Sequence, residues 1–251
     1  MIIEYHRPKS LEAALDLISR VDPKTVPMGG GSVLSRSFPE DVAVVDLQDL
    51  GLDSQERKGK SLDIGATTTL QSLMNVPELM PALVTAIRYE ANYNQRQNRT
   101  VAGTLVSATG RSPFTTVMIA LDAQLTMLPG KEIVDLGSFM PIREKQLSGR
   151  LVSLITVPMN VKLTYHYVAR TPADLPIVCV SLAYWPSGRT RVSLGGYGNT
   201  PLLAMDGPES DGAEVAARNA YQEAGDQWAS AAYRSDVAGT LTKRCIAEII
   251  D

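Results

Sequence analysis

Three consecutive glycines, Gly29-Gly30-Gly31, stand between the short apolar stretch Thr25 to Met28 and the turn-like Ser32-Val33-Leu34. Glycine gives up more backbone freedom on folding than any other residue, so a run of three is costly wherever the chain is ordered. Such a run points to a need for bare backbone. A tight turn is one such need. An anion site is another, because without Cβ atoms successive N–H groups can turn inward on a phosphate, and a helix starting at Ser32 or Val33 would add the positive end of its dipole.

The flanking pattern sets the run in context. Ile2 to Tyr5 reads as a strand, and Pro8 and Ser10 introduce a helix carrying Leu11, Ala14, Leu15 and Ile18 on one face. Val42 to Val45 reads as a buried strand, so the first 50 or so residues form a small α/β unit. Its glycine loop lies at the carboxyl end of a strand, where α/β folds tend to bind ligands. Ser61 to Ala66 alternates as a strand, Thr67-Thr68-Thr69 can cap a helix from Leu70, and Met80 to Ala91 is helical by spacing. Asn92 to Arg99 is polar and ends in Thr100 to Leu105, a second small-residue loop. As a partner to the first loop it would supply backbone donors, Thr hydroxyls and nearby guanidinium groups. After Pro158-Met159-Asn160, read as a hinge, Val161 to Val168, Ile177 to Tyr184 and Arg189 to Leu194 form a strand meander. Helices from about Asp211 to Tyr221 and about Val237 to Ile250 cover it.

Charge and residue usage exclude several classes. Lys plus Arg number 24 against 27 Asp plus Glu, a net charge of −3 that offers no field for a polyanion, so nucleic acid is not an expected partner. No apolar run has the length of a membrane span and no signal-peptide pattern opens the chain, which makes the cytoplasm the expected compartment and membrane insertion unexpected. Cys179 and Cys245 read as small core residues, and two separated cysteines cannot supply the four thiolates of an iron–sulfur cluster. His6 and His166 have no ligand-like neighbours, so no metal site is expected.

With both loops and the tail in view, nearly the whole chain resembles the FAD-binding medium subunit of the molybdenum hydroxylases, the family of carbon monoxide dehydrogenase and xanthine dehydrogenase. One marker is the loop Gly29-Gly30-Gly31-Ser32-Val33-Leu34, matching a Gly-Gly-Thr-like loop after the second strand. Another is Arg96-Gln97-Asn98-Arg99-Thr100-Val101-Ala102-Gly103-Thr104, matching an Arg-Asn pair followed by Thr-Ile-Gly-Gly-Asn. Ile64-Gly65-Ala66-Thr67 matches an Ile-Gly-Ala segment, and Ala120-Leu121-Asp122-Ala123 matches the strand after the second loop. In the tail, Ala169-Arg170 to Asp174, Leu194-Gly195-Gly196 and Ala232-Tyr233-Arg234 match in order.

The resemblance implies an α+β fold: a two-subdomain FAD-binding α/β unit over residues 1–158, with subdomains of about 1–55 and 56–158, then a C-terminal antiparallel three-stranded sheet covered by helices over 161–251. It implies that the two loops hold the FAD pyrophosphate. The cofactor contacts carried over are Met28, Gly29, Gly30, Gly31, Ser32, Val33, Leu34, Ile64, Gly65, Thr100, Ala102, Gly103, Thr104 and Ser112. No catalytic residue is implied, because the flavin carries the chemistry. The implied partners are a 2Fe-2S small subunit and a molybdopterin-containing large subunit.

The chain departs from the family pattern at three residue positions and is somewhat shorter than the family around Gly130 to Gly149. Ala102 stands where the family has the first Gly of its pair, and at φ > 0 its Cβ would cost roughly 1–2 kcal/mol. Thr104 replaces the usual Asn. Pro113, within Gly110-Arg111-Ser112-Pro113-Phe114, falls where the family has a carboxylate that binds the cofactor, leaving Ser112 or Arg111 to take over the contact. These departures motivate an alternative function, a non-catalytic assembly or interaction subunit of the same fold that has lost FAD. A free-standing flavin oxidoreductase is disfavoured by the lack of an acid–base pair near the loops, and a dinucleotide-binding Rossmann domain by the glycine spacing.

Overall fold

The computed structural model describes residues 1–34 and 41–250. The chain opens with β1 (Ile2–His6), α1 (Leu11–Ile18), β2 (Thr25–Met28) and β3 (Val42–Asp46). β4 (Gln55–Lys58), β5 (Ser61–Gly65), α2 (Leu70–Met74), α3 (Pro81–Glu90), α4 (Tyr93–Asn98), α5 (Val101–Val106) and α6 (Pro113–Ala120) follow. Next come β6 (Gln124–Leu128), β7 (Glu132–Asp135), α7 (Leu136–Phe139), α8 (Arg143–Gln146) and β8 (Leu151–Pro158). The tail holds β9 (Lys162–Val168), β10 (Val178–Tyr184), β11 (Thr190–Gly195), β12 (Leu202–Gly207), α9 (Ala213–Ala220) and α10 (Ala231–Ile250).

These elements form two compact units that interleave along the chain. The first comprises Met1–Val76, Tyr93–Ser107 and Gln124–Thr156, and the second Pro77–Asn92, Ala108–Ala123 and Val157–Asp251. The sequence draws one boundary near Pro158. The helices α3 and α6, which precede that point, pack with the tail.

In the first unit, β1 and β2 both pair in parallel with β3 in the order β1-β3-β2. The Ser10 hydroxyl accepts from the Ala13 amide and starts α1, whose Ala14 and Ile18 are buried with Val45, Leu47 and Leu151. Met28 pairs with Asp46 at the end of the sheet, and the Leu47 amide donates to the Met28 carbonyl, which fixes where the glycine loop leaves. A second sheet has the order β4-β5-β8-β6-β7. Beside it Thr69 caps α2 by accepting from the Ser72 amide.

The tail sheet has four strands, β12-β11-β10-β9, all antiparallel, where the sequence leads one to expect three. β12 escapes the pattern because it is a half-exposed edge strand joined through a bulge at Val192/Ser193, so its residues do not alternate. β10 reads as continuous apolar sequence because both its faces are covered. Val180 and Leu182 pack with α9 and α10, while Cys179 and the neighbouring Ser193 on β11 meet Thr116 of α6. Leu241, Cys245 and Ile249 share the buried face of α10, and both cysteines are free thiols.

Two further segments differ from expectation. Asn92 to Arg99 contains the helix α4, a polar helix with no apolar stripe to announce it. Ala120-Leu121-Asp122-Ala123 ends α6 and turns, with Asp122 at φ 58°, before β6 begins at Gln124.

Candidate cofactor site

Within the first unit lies a cleft of about 820 Å³, lined by Gly29, Thr100, Ala102 and Gly103 from the two motif stretches, together with Ala66 and Thr67. Ile18, Val26, Leu147 and Val152 contribute apolar wall, and Arg20, Lys24, Glu144 and Arg150 contribute charge. The size falls within the roughly 300–1,000 Å³ of small-molecule sites.

The glycine loop packs directly on the second stretch. A Cβ on Gly30 would lie 1.6 Å from the Asn98 carbonyl oxygen, and one on Gly29 would lie 2.7 Å from Thr100 Oγ1. Gly31 sits at φ 67°, in the left-handed region that only glycine adopts readily. Crowding by protein at Gly29 and Gly30, and backbone conformation at Gly31, therefore account for the missing side chains. Neither accounts for the amides: among the described residues, those of Gly29, Gly30 and Gly31 have no acceptor. Buried or half-buried amides are normally paired, so three open donors in a row mark a place for an acceptor from outside the described residues. Ser32, Val33 and Leu34 form a turn. The helix expected from Ser32 or Val33 would run on into residues 35–40, which lie outside the described residues.

The second stretch corrects the expectation that it supplies backbone donors. It is the start of α5, and its first amides are all engaged: Val101 with Thr68 O, Ala102 with Ala66 O, Gly103 with Thr100 Oγ1 and Thr104 with Thr100 O, at 2.8, 3.2, 3.1 and 2.9 Å. The Thr104 hydroxyl also donates to Thr100 O, at 2.7 Å, and is buried. What remains is the Thr100 hydroxyl, which accepts from Gly103 and keeps its own hydrogen to donate. Ala102 is helical, and the positive-φ residues other than glycine are Glu78, Asp122 and Lys131 among the described residues. The Cβ cost considered for φ > 0 does not arise there.

Other expected contacts are placed elsewhere. Ile64 is fully buried in β5, and Gly65 packs on Leu52 O, where a Cβ would approach to 2.2 Å. Two residues further on, Ala66 and Thr67 reach the cleft. Met28 ends β2 half-buried. Ser112 belongs to the second unit, where it caps α6: its oxygen accepts from the Thr115 amide while its hydroxyl donates to Glu90 Oε2 at 2.6 Å. Arg111, also there, donates to the carbonyls of Pro176 and Leu175 and stacks on Trp228 at 5.1 Å. Both side chains are therefore committed to structure.

The sequence reading missed Arg20 and Lys24. Arg20 donates through Nη2 to Glu4 Oε2 at 3.0 Å and Thr25 Oγ1 at 3.1 Å. Hydrogen bonds from His6 and Arg20 hold the Glu4 carboxyl below the usual carboxylate range. The available signal was two cations within five residues of the strand that feeds the glycine loop.

An α+β chain whose cleft joins the open Gly29 amide and a threonine hydroxyl to cations and apolar walls has the makings of a nucleotide-cofactor protein. The chain belongs to the family described as FAD binding domain in molybdopterin dehydrogenase, whose model matches residues 1–160. Its cofactor is FAD, and it is a medium subunit of the molybdenum hydroxylase type. It is 28% identical over 247 residues to the uncharacterized protein YgfM of Escherichia coli, covering 96% of this chain and 94% of that one. It is 26% identical over 277 residues to the carbon monoxide dehydrogenase medium chain of Afipia carboxidovorans, covering 97% and 95%. The crystal structure of the Cu,Mo-CO dehydrogenase in its cyanide-inactivated form superposes with a TM-score of 0.79 at 25% identity, over 98% of this chain and 97% of that one. No described helix is long and apolar enough to cross a membrane.

The residues present fit the cofactor. The open Gly29 amide, the Thr100 hydroxyl and the cations Arg20, Lys24 and Arg150 suit a diphosphate, and the apolar side chains suit a purine.

Proposed function

We propose that this chain is the electron-transfer subunit of a cytoplasmic, heteromeric molybdenum hydroxylase, passing electrons between a 2Fe-2S small subunit, supplied in turn by a molybdopterin-containing large subunit, and an external acceptor. The observation that carries the reading is the row of open amides at Gly29, Gly30 and Gly31 beside the Thr100 hydroxyl. FAD, when bound, supplies redox chemistry that needs no acid, base or nucleophile from the protein. The chain's own residues bind and orient it. The glycine-loop amides offer donors to its phosphates, Gly29 and Gly30 let that loop lie against Asn98 to Thr100, and Ile18, Val26, Leu147 and Val152 exclude water. The relatives support the partners, since the Afipia protein is the medium chain of carbon monoxide dehydrogenase.

The visible absorbance spectrum of the purified chain, with FAD titrated in if the spectrum is empty, tests this. A flavin spectrum at near one equivalent is expected, and co-expression with candidate small and large subunits should yield a complex whose flavin is reduced by substrate. A second reading is favoured by one observation: Ser112 and Arg111, the expected substitutes for the family's carboxylate, are both engaged within the second unit. No flavin uptake from excess FAD would establish that reading, an assembly subunit of the same fold.

A further inference from the structure

Arg20 is held along one edge only. Among the described residues its hydrogen bonds all leave from Nη2, toward Glu4, Thr25 and the His6 ring, the last at 3.4 Å. Its Nε is buried without a partner, and Nη1 has no acceptor among the described residues. The side chain lines the same cleft as Gly29. A guanidinium oriented by a carboxylate and a hydroxyl, with donors left over, is pre-organised for a phosphate, whose oxygens match its planar fork. An unpaired buried donor beside it is unfavourable until an acceptor arrives.

We propose that Arg20 grips the adenosine diphosphate portion of FAD and so makes the cleft select the dinucleotide over the mononucleotide. This rests on the FAD reading above and adds a residue that neither glycine motif contains. Glu4 and Thr25 are positioning residues, acting through Arg20.

The test is equilibrium binding to flavin-stripped protein of FAD, FMN, ADP and NAD⁺, comparing wild type, Arg20→Met and Arg20→Lys. Wild type should prefer FAD to FMN, with ADP competing against FAD. Arg20→Met should weaken FAD and ADP by about 10- to 100-fold and leave FMN unchanged, with Arg20→Lys in between. Because Arg20→Met strands Glu4, the double variant Glu4→Gln/Arg20→Met is carried alongside, and its melting temperature separates a folding defect from lost binding. Unchanged FAD affinity in a folded Arg20 variant, or equal losses for FAD and FMN, would overturn the inference. So would Arg20-dependent binding of NAD⁺ that leaves FAD in place, since the same chemistry would then serve another nucleotide. Failure of wild type to bind FAD at all would sink the cofactor reading itself, and this inference with it.

Discussion

Gly29-Gly30-Gly31 and Gly195-Gly196 look alike in sequence, and at Gly29, Gly30, Gly195 and Gly196 the protein leaves no room for a Cβ. A methyl group would come within 1.6 Å of Asn98 O at Gly30, and within 2.1 Å of Ile177 O at Gly196. Their amides differ. The Gly196 N–H donates to Gly110 O at 2.7 Å, whereas those of the first loop have no acceptor among the described residues. Two arginines repeat the contrast. Arg234 is fully buried and spends Nε, Nη1 and Nη2 on the carbonyls of Ile177, Ala224 and Ala229 and on Asp226, while Arg20 commits one nitrogen. Glycine and arginine thus have their donors spent within the protein in one unit and left open in the other. The residue type does not separate the two roles; the donors left over do.

The largest expected effect tests the packing side. Arg234→Met removes the cation from Asp226 and the partner from the buried Ile177 and Ala224 carbonyls and the part-buried one of Ala229, and should cost about 3–5 kcal/mol in urea unfolding. A loss below about 1 kcal/mol would put Arg234 in the same class as Arg20. Gly196→Ala combines φ 115° with steric overlap and should cost about 2–4 kcal/mol, with ADP affinity unchanged in protein that folds. Gly31→Ala has its nearest neighbour, Met28 Sδ, at 3.5 Å, so it carries only the φ penalty, about 1–2 kcal/mol, yet it should weaken FAD. If both glycine variants changed nucleotide affinity alike, the contrast would fail.

Smaller effects concern the positions where the family pattern is broken. Ser112→Ala loses a cap and a bond to Glu90, so about 1 kcal/mol of stability should go while flavin content stays the same. A fall in flavin content at unchanged stability would return Ser112 to the cofactor. Its surroundings are instructive: the position follows from the resemblance, but the hydroxyl's partner, Glu90, lies 22 residues away and only the fold brings it there. Local devices were legible. Ser10 and Thr69 cap the helices their sequence announces, and the glycine loop leaves a strand end as read. Long-range ones were not. That α3 and α6 pack with the tail, and that Arg20 reaches the cleft, depend on contacts no periodicity encodes. In α5 the local rule itself misled, because a Thr-rich small-residue stretch reads as an open loop until its amides are seen to be engaged.

The smallest expected effect is a silence that can be broken selectively. Burial pushes the Cys179 thiol up to about 11 and the Cys245 thiol up to about 12. At pH 8 the folded second unit therefore holds about one thiolate in a thousand or fewer, and neither cysteine should react with a disulfide reagent until that unit opens. The sign of the pH dependence follows. An unfolded thiol ionises near pH 8.5 while the folded one keeps its proton, so the unfolded state binds fewer protons above that pH, and stability is flat below about pH 8.5 and falls above it. Thiol labelling at pH 8 then becomes a clock for opening of the second unit alone. Arg234→Met should speed it in proportion to its lost stability, while Gly31→Ala, in the first unit, should leave it unchanged even as it weakens FAD. Equal acceleration by both would mean that the two units open together, and that packing and binding are not carried by separable parts of the chain.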